Sequence, residues 1–424
     1  MNRKKLTYAM VGGAVGSFIG PIHRMALRMD NLAELVAGNF SRDAKRNAES
    51  AAAFGLDPSR VYADWKSLIA AERGKVDFLV ICTTNETHYA IAKAALEAGL
   101  DVFCEKPLSL TAKEAAELGK LAERKGRVLG VPFTYTGYPM VKLARDLVKR
   151  GELGKIDKVM LEYVQGSFRK PDRRTSWKTN PKIAGPSCVV ADIGVHAFTM
   201  IEYVTGLEVK SLLADLSSFA SGGLDDDASI LMRLGEGGGR PSACSASLTR
   251  SRTATDSIAA CSASLTRSRT ATDSIAACSA SLTRSRTAAD AISAKASLVT
   301  SKIATGEENG VRLRVYGDKA SLFWDQEAPN YLSVKYPMKP EAIYKRKAPY
   351  VDAVSARSVE ASRFPAGHHE GFVEALCNIY DEFVAAVRTR KTRDFPGARE
   401  GIRSMRFVDA ALKSNKAGNR WTKV

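Results

Sequence analysis

His196 follows Asp192 by four residues in Asp192-Ile193-Gly194-Val195-His196, and Lys106 stands 90 residues before His196 in Glu105-Lys106-Pro107. These types suit removal of a proton from a hydroxyl whose carbon gives up hydride. A histidine, with an unperturbed pKa of ~6.5, is a base near neutral pH. A lysine ammonium hydrogen-bonds and stabilises the alkoxide that develops. Residues four apart share one face of a helix, so Asp192 can orient the ring or take a substrate hydroxyl. On spacing alone each also has a plain reading, His196 as a packed helix histidine and Asp192 as a helix cap. The histidines and cysteines show no paired-cysteine or His-x-x-x-His spacing, so no metal site is read.

A second constellation is the turn Gly12-Gly13-Ala14-Val15-Gly16-Ser17-Phe18-Ile19-Gly20. A glycine-rich turn between a strand and a helix points backbone N–H groups and the positive helix end at a pyrophosphate. The spacing departs from GxGxxG, in a turn longer by three residues, but its place after an N-terminal apolar strand reads as a dinucleotide site. At the end of the next strand NAD sites place an acid, whereas an Arg accommodates the 2′-phosphate of NADP. Here Ala37-Gly38-Asn39-Phe40-Ser41-Arg42 has no acid, and Ser41 with Arg42 suits a phosphate. The cofactor is therefore read as NAD or NADP, leaning to NADP; a solvated helix start is the alternative for Ser41-Arg42.

The elements that must hold these groups alternate. Strands are expected at Leu6–Val11, Ala33–Ala37, Val76–Ile81, Leu100–Cys104 and Arg127–Val131. Helices are expected at Phe18–Met29, Asp43–Phe54, Glu86–Ala98 (capped by Asn85) and from the capping box Thr111-Ala112-Lys113-Glu114 to Lys125. That alternation means an α/β fold with a doubly wound parallel sheet, which places Lys106 at a strand's C-terminal end, where such sheets bind ligands. Strands at Lys158–Val164, Val209–Leu216, Ile230–Leu234, Ala296–Ile303, Arg312–Tyr316 and Ala320–Trp324 predict a second, mostly antiparallel sheet in an α+β domain. A helix from Val141 to Lys149, one near Ile193–Val204 and two in the tail, Glu370–Arg388 and Ala398–Ser414, complete the pattern. Ser167–Pro186 is read as a polar loop and Tyr336–Arg363 as a surface loop. The domains are residues 1–132 and 133–424, the second carrying a tandem insertion at 244–294.

The motifs together resemble the Gfo/Idh/MocA oxidoreductases. Cys82-Thr83-Thr84-Asn85-Glu86-Thr87-His88 is similar to their T-P-N-x-x-H, with Thr84 for proline. Ala94-Ala95-Leu96-Glu97-Ala98-Gly99 leading to Glu105-Lys106-Pro107 resembles A-L-x-A-G…E-K-P; Gly20-Pro21-Ile22-His23 and Asp192–His196 resemble G-x-x-H and D-x-G-x-H. The Ser-Phe-Ile-Gly turn and Tyr138-Pro139-Met140 look like an inositol- or sugar-dehydrogenase branch. The resemblance covers nearly the whole chain apart from the repeats. It implies an NAD(P)-dependent dehydrogenase of a cyclic polyol or sugar, with Lys106 and His196 as the catalytic pair and Asp192 as partner. It implies cofactor contacts from Gly12, Gly13, Ser17, Phe18, Ile19, Gly20, Ser41, Arg42, Thr83, Thr84, Asn85, His88, Glu105 and Lys106. Asp192, His196, Tyr135 and Trp177 would meet substrate; Lys178 and Tyr163 are further pocket candidates, and His368-His369 stands where relatives have His-Pro. The Lys106–Pro107 bond is expected to be cis, and a homo-oligomer, dimer or tetramer, is expected. The departure is Ala184-Gly185-Pro186-Ser187-Cys188, where relatives often have a glycine-rich run. Relatives without the catalytic residues sense NAD(P) as regulators, and others hydrolyse glycosides through transient oxidation; these are the competing readings.

Composition narrows the rest. Hydrophobic residues at 45% and charged residues at 26% exclude wholesale disorder. No apolar run reaches the ~18 residues of a membrane span. The seven cysteines form no close pairs, which fits a reducing cytoplasm. The net charge of +17 raises nucleic acid as a partner. The repeat speaks against it: Cys244–Ala260 and Cys261–Ala277 are identical, Cys278–Ala294 differs at three positions, and their six Arg come without an aromatic residue for stacking. Ala246–Thr255 matches Ala296–Thr305 at six of ten positions, so the repeats read as drifted copies of the strand Ala296–Ala304, the last segment keeping the sheet position. Neither nucleic acid nor membrane is expected as a partner.

Overall fold

The computed structural model describes residues 5–171, 176–237 and 292–424. Five parallel strands, β1 (Leu6–Gly12), β2 (Ala33–Asn39), β3 (Phe78–Cys82), β4 (Asp101–Cys104) and β5 (Leu129–Gly130), lie in the order β2-β1-β3-β4-β5. The order reverses between β1 and β3, which makes the crevice beyond their C-terminal ends the ligand position. Each residue of Phe78–Cys82 is buried, because helices cover both faces of the sheet. Asp43 caps the helix Ala44–Phe54 through the Arg46 amide, and Thr111 with Glu114 forms the expected capping box. The helix Trp65–Glu72 escaped the sequence reading. Asn85 does not cap its helix: Thr84 holds the cap position, and Asn85 is the buried first helical residue.

The second sheet has nine strands: β6 (Ile156–Val164), β7 (Leu207–Ser217), β8 (Asp227–Glu236), β9 (Ala294–Ser301), β10 (Gly310–Gly317), β11 (Ser321–Asp325), β12 (Tyr331–Tyr336), β13 (Lys339–Lys345) and β14 (Thr422–Lys423). Their order is β13-β12-β11-β10-β6-β9-β8-β7-β14, antiparallel except for the central pair β6–β9. Alternating Ala228, Ile230, Met232 and Leu234 of β8 face the helices on one side, while Leu231 and, on β9, Val299 are exposed on the other. Tyr336–Arg363 is not a loop. It holds β13, which pairs back on β12, and short helices at Pro349–Asp352 and Ala356–Glu360. β13 is an edge strand with mostly exposed side chains, so it lacks the apolar alternation that marks a strand.

The tail returns to the first sheet. In the helix Phe372–Thr389, Tyr380 stacks on Phe103 at 4.1 Å and Phe383 meets Phe78 at 5.3 Å, burying the sheet face that carries β3 and β4. Most of the repeat, residues 244–291, lies outside the described residues. Its flanks do not: β8 and β9 are adjacent antiparallel strands, with Leu234 opposite Ala294, so the repeats join the two ends of a hairpin. Among the described residues no helix is long and apolar enough to cross a membrane.

Candidate active site

Lys106 leaves the sheet just beyond β4, and the Lys106–Pro107 peptide is cis. Two neighbours fix that turn. Glu105 accepts the Lys106 amide at 2.9 Å and meets His23 Nε2 at 2.9 Å, while Tyr380 lies 2.5 Å from His23 Nδ1. His88, fully buried, has Nδ1 2.7 Å from the Pro107 carbonyl and Nε2 3.1 Å from the Thr83 carbonyl. His88, expected from the sequence at the cofactor, lies between the Lys106–Pro107 turn and the end of β3 with both nitrogens facing backbone oxygens, and its one N–H donates to one of them. Glu105 likewise already accepts at both carboxylate oxygens and supports the turn from behind.

Lys106 Nζ donates to Asp192 Oδ1 at 2.7 Å and to the Asp192 carbonyl at 2.6 Å. Asp192 Oδ2 accepts from two further lysines, Lys178 and Lys302, each at 2.7 Å. Burial alone would raise this carboxyl, yet Lys106, Lys178 and Lys302 together hold it well below the ordinary carboxylate range. Lys302 is 2% exposed, lies over the Phe168 ring, and is 3.6 Å from the Cys188 sulfur. Burial opposes its charge, but Asp192 and then Cys188 raise its pKa above the usual lysine value. Burial lowers Lys178 below it.

Asp192 is thus the hub of three ammoniums, and neither a helix cap nor a hydrogen-bond partner of His196. The reason is local. Residues Val190–Gly194 form a π-turn, and the α-helix that carries His196 starts only at Val195. The α-helical stacking of positions four apart does not hold across the wider turn, a form that recurs at functional sites. Asp225 fixes the start of this segment, accepting from the Ser187 hydroxyl and the Cys188 and Val190 amides at 2.9 Å each.

His196 is buried, and among the described residues its Nδ1 has no hydrogen-bond partner. Its ring packs edge-on against Tyr135 at 5.2 Å and Phe133 at 5.8 Å. Burial, then the Lys106 charge, holds the imidazole well below its ordinary pKa, so it is neutral at pH 7 and able to accept a proton. Tyr135 and Tyr163 are buried, with hydroxyls 2.7 Å apart, and Asn309 bonds both. Tyr135 therefore braces the histidine rather than opening onto a pocket. Trp177 is 38% exposed and lines a small hollow of about 10 Å³ with Asn85, Lys178 and Asp192. Asn85 donates to the Ala184 carbonyl at 2.9 Å and so pins the 176–187 loop to the first sheet.

The glycine turn fits a dinucleotide. Gly12, Gly13 and Gly16 have φ of +80°, +72° and +78°, a region that favours glycine. A Cβ on Gly12 would run into the Cys82 carbonyl, and one on Gly20 would lie 2.5 Å from Gly13 Cα. Helix and strand thus meet with no side chain between them, leaving the cradle open to phosphate. Ser17 Oγ is buried without a partner among the described residues, as a group awaiting a ligand would be. Phe18 is 82% exposed beside it. Arg46 donates from Nη2 to the Val15 carbonyl at 2.8 Å, which brings a cation to the turn. Ser41 Oγ accepts from the Asp43 amide, Arg42 is exposed, and Asn39 donates to the Tyr62 carbonyl.

Comparison with known proteins settles the family. The description "Oxidoreductase family, NAD-binding Rossmann fold" of the Gfo/Idh/MocA proteins matches residues 6–133, their C-terminal domain matches 141–254, and a C-terminal alpha/beta domain matches 287–424. The chain belongs to the Gfo/Idh/MocA oxidoreductases. It is 30% identical over 438 residues to the uncharacterized oxidoreductase YfiI of Bacillus subtilis, covering 99% of this chain and 96% of that one. It is 34% identical to levoglucosan dehydrogenase of Pseudarthrobacter phenanthrenivorans over 196 residues, 45% of this chain and 48% of the relative. An inositol dehydrogenase homologue of Azotobacter vinelandii solved with NAD+ superposes with a TM-score of 0.82 at 29% identity, covering 100% of this chain and 98% of its own. Solved with NADH and myo-inositol, it gives 0.81.

Within this Gfo/Idh/MocA centre, Lys302 and Arg46 went unread in the sequence. Lys302 had a signal: Ala294, Ala296, Leu298 and Thr300 are the buried alternation of β9, and Lys302 extends it by one step. A lysine at an inward position needs an acid opposite. Arg46 had none, because an exposed helix arginine usually faces only solvent.

Proposed function

We propose that this oxidoreductase moves hydride between a nicotinamide and a secondary alcohol of a cyclic polyol or sugar. The observation that carries the reading is a neutral, buried His196 within reach of the charge of Lys106, which Asp192 holds beyond the sheet's C-terminal edge. Residues 1–132 would bind the dinucleotide through Gly12, Gly13, Ser17, Phe18, Ile19 and Gly20, with Thr83, Thr84 and Asn85 at the end of β3. Residues 133–424 would supply substrate contacts and the oligomer face. The bound nicotinamide supplies the hydride acceptor or donor. His196 takes the hydroxyl proton, and Lys106 donates to the same oxygen as its charge grows. Asp192 positions Lys106, and Tyr135 and Phe133 wall the imidazole from water.

The absence of an acid at Ala37–Arg42 leaves Ser41 and Arg42 free to take a 2′-phosphate, so we infer that NADP is accepted as well as NAD. The exposed Leu231, Val299, Tyr316 and Ile343 on the open face of the large sheet support a homo-oligomer. Inositols and sugars screened by nicotinamide absorbance test the activity. Lys106→Ala is expected to lower kcat by about 10²–10³, the cost of losing one oxyanion donor. Turnover undiminished in that variant removes the lysine from the mechanism. A carbonyl product with stoichiometric cofactor reduction separates this reading from a silent NAD(P) sensor and from glycoside cleavage without net reduction.

A further inference from the structure

Lys106 and Lys302 reach Asp192 from different sheets. Lys106 lies just beyond β4 of the parallel sheet, and Lys302 just beyond β9 of the large one. The Lys106 ammonium has three N–H groups. Two are spent, on Asp192 Oδ1 at 2.7 Å and on the Asp192 carbonyl at 2.6 Å, which leaves one for a substrate oxygen. The carbonyl is held by the backbone of the π-turn, where the Asp192 amide donates to the Cys188 carbonyl at 3.0 Å. The Oδ1 contact has no such backbone hold. It depends on how the carboxylate is turned, and so on what grips Oδ2.

Two lysines grip Oδ2, and they are not alike. Lys178 stands on the short 3-10 turn Trp177–Thr179, and its side chain is 39% exposed. The Lys302 side chain is 2% exposed. Its amide donates to the Asp226 carbonyl at 2.8 Å and its carbonyl accepts the Phe168 amide at 2.9 Å, so the backbone on both sides of it is tied down. Lys302 Nζ meets Asp192 Oδ2 at 2.7 Å and the Cys188 sulfur at 3.6 Å, with the Phe168 ring 4.8 Å away. A buried ammonium has no water to exchange for its carboxylate, whereas an exposed one does. The geometry points to Lys302 as the positioning residue of this centre: it anchors Asp192 Oδ2 from the large sheet, so that Oδ1 stays on Lys106 and one Lys106 N–H stays aimed at the substrate oxygen. The role rests on the dehydrogenase reading of the same site. Lys302 acts through Asp192 and is not itself a proton donor or acceptor in the reaction. Removing its charge strands no other, because Asp192 keeps Lys106 and Lys178, so a Lys302→Met chain is expected to fold.

The test uses the full chain with NAD+ and the best alcohol of a panel of inositols, D-glucose and D-galactose. Lys302→Met is expected to lower kcat about 10- to 100-fold, the range that a small misplacement of a reacting group costs, with KM within about threefold. Dinucleotide affinity, read by fluorescence titration, should not change. An unchanged kcat, or a loss confined to KM, overturns the role. A double-mutant cycle asks whether Lys302 works only through Asp192. Added to Asp192→Asn, Lys302→Met should change kcat by no more than about threefold, because the carboxylate it anchors is already gone. A further loss of about tenfold or more, the product of two independent effects, overturns the role in favour of general loosening or a separate contact. Crystal structures of the wild type and Lys302→Met read the pose without turnover: the Asp192 carboxylate should swing toward Lys178 or occupy two conformers. A single unmoved carboxylate overturns the inference whatever the kinetics. A carboxylate that moves as expected, in an enzyme that oxidises no alcohol of the panel, refutes the dehydrogenase reading and leaves the anchoring of Asp192 by Lys302 standing.

Discussion

Asp192→Asn removes the one carboxylate that three lysines share, and its cost can be worked from Lys302. With the Asp192 charge gone, the Lys302 ammonium faces, among the described residues, the neutral amide, the Cys188 sulfur at 3.6 Å and the Phe168 ring at 4.8 Å, in a place 2% exposed. Stranding a buried charge this way costs about 3–5 kcal/mol. Deprotonation sets the ceiling: neutralising a lysine of pKa ~10.4 at pH 7 takes about 3.4 × 1.36, or roughly 4.6 kcal/mol. Lys106 and Lys178, 15% and 39% exposed, rehydrate and add little. The pH dependence then reverses. In the wild type the Lys302 pKa is raised on folding, so its contribution is fully present below the unfolded value and is lost only as pH climbs through the higher folded value. In the variant, burial without Asp192 depresses that pKa, so the unfolded chain holds a proton the folded chain lacks. Stability then rises with pH by up to about 1.4 kcal/mol per unit. Urea unfolding followed by circular dichroism should show a deficit of about 3–5 kcal/mol at pH 7 that shrinks by about 1–3 kcal/mol at pH 9. Asp192→Asn with Lys302→Met should return to within about 1.5 kcal/mol of wild type, as buried pairs replaced by apolar groups do. A deficit below about 1 kcal/mol, or one that grows toward pH 9, refutes the three-lysine account.

Three further outcomes follow from the same geometry. Because burial and Lys106 lower the His196 pKa, the base is already neutral at pH 7, so kcat/KM for oxidation should stay flat to below about pH 6.5 before it falls; an acid limb centred above 7 speaks against His196 as the base. Gly20→Ala places a Cβ 2.5 Å from Gly13 Cα, so stability should fall by about 1–3 kcal/mol and dinucleotide affinity by tenfold or more, measured by unfolding and by fluorescence titration; unchanged affinity removes the close-packed turn from the binding site. Deleting Cys244–Ala277, two whole periods, shortens the connection between the adjacent strands β8 and β9 about 2.5-fold, which changes loop-closure free energy by under about 1 kcal/mol. Soluble, active protein is expected, and loss of soluble expression counts against insertion into a hairpin.

The candidate trio could be picked out because the proposed chemistry asks for particular types at particular places: a lysine at a strand end before proline, and an aspartate and histidine beside glycine. The parallel sheet was legible from the buried run Phe78–Cys82 and the Thr111–Glu114 box, both local signals. Relations between distant segments were not. The β6–β9 pairing joins strands far apart in the chain and in parallel, which no turn signature announces. β13 stayed hidden because an exposed edge has no apolar face. Asp192 was assigned to the histidine by α-helical spacing, and the π-turn at Val190–Gly194 gave it to the lysines instead.

If the repeats are drifted copies of the Ala296–Ala304 strand, the large sheet limits which of them can take the place of β9. Aligned on Ala296–Thr305, the copies carry Arg252, Arg269 and Arg286 where Lys302 stands, so each would keep a cation at that register position. They differ two residues earlier. Thr300 is fully buried on the inner face, and the copies put Arg250, Arg267 and Arg284 there. Among the described residues no acid bonds Thr300, so an arginine at that position would be a buried charge without a partner there, several kcal/mol worse than threonine. Val299 lies on the exposed face, so the threonines that replace it in the copies (Thr249, Thr266, Thr283) would decide little. On that reading the choice of strand would rest on one inward position. Thr300→Arg in the full chain removes that discrimination, and it should lower stability by about 3 kcal/mol or more and lower activity with it, since Lys302 follows on the same strand face. A variant as stable and active as the wild type would mean that the copies and the Ala296–Ala304 strand are interchangeable in the sheet.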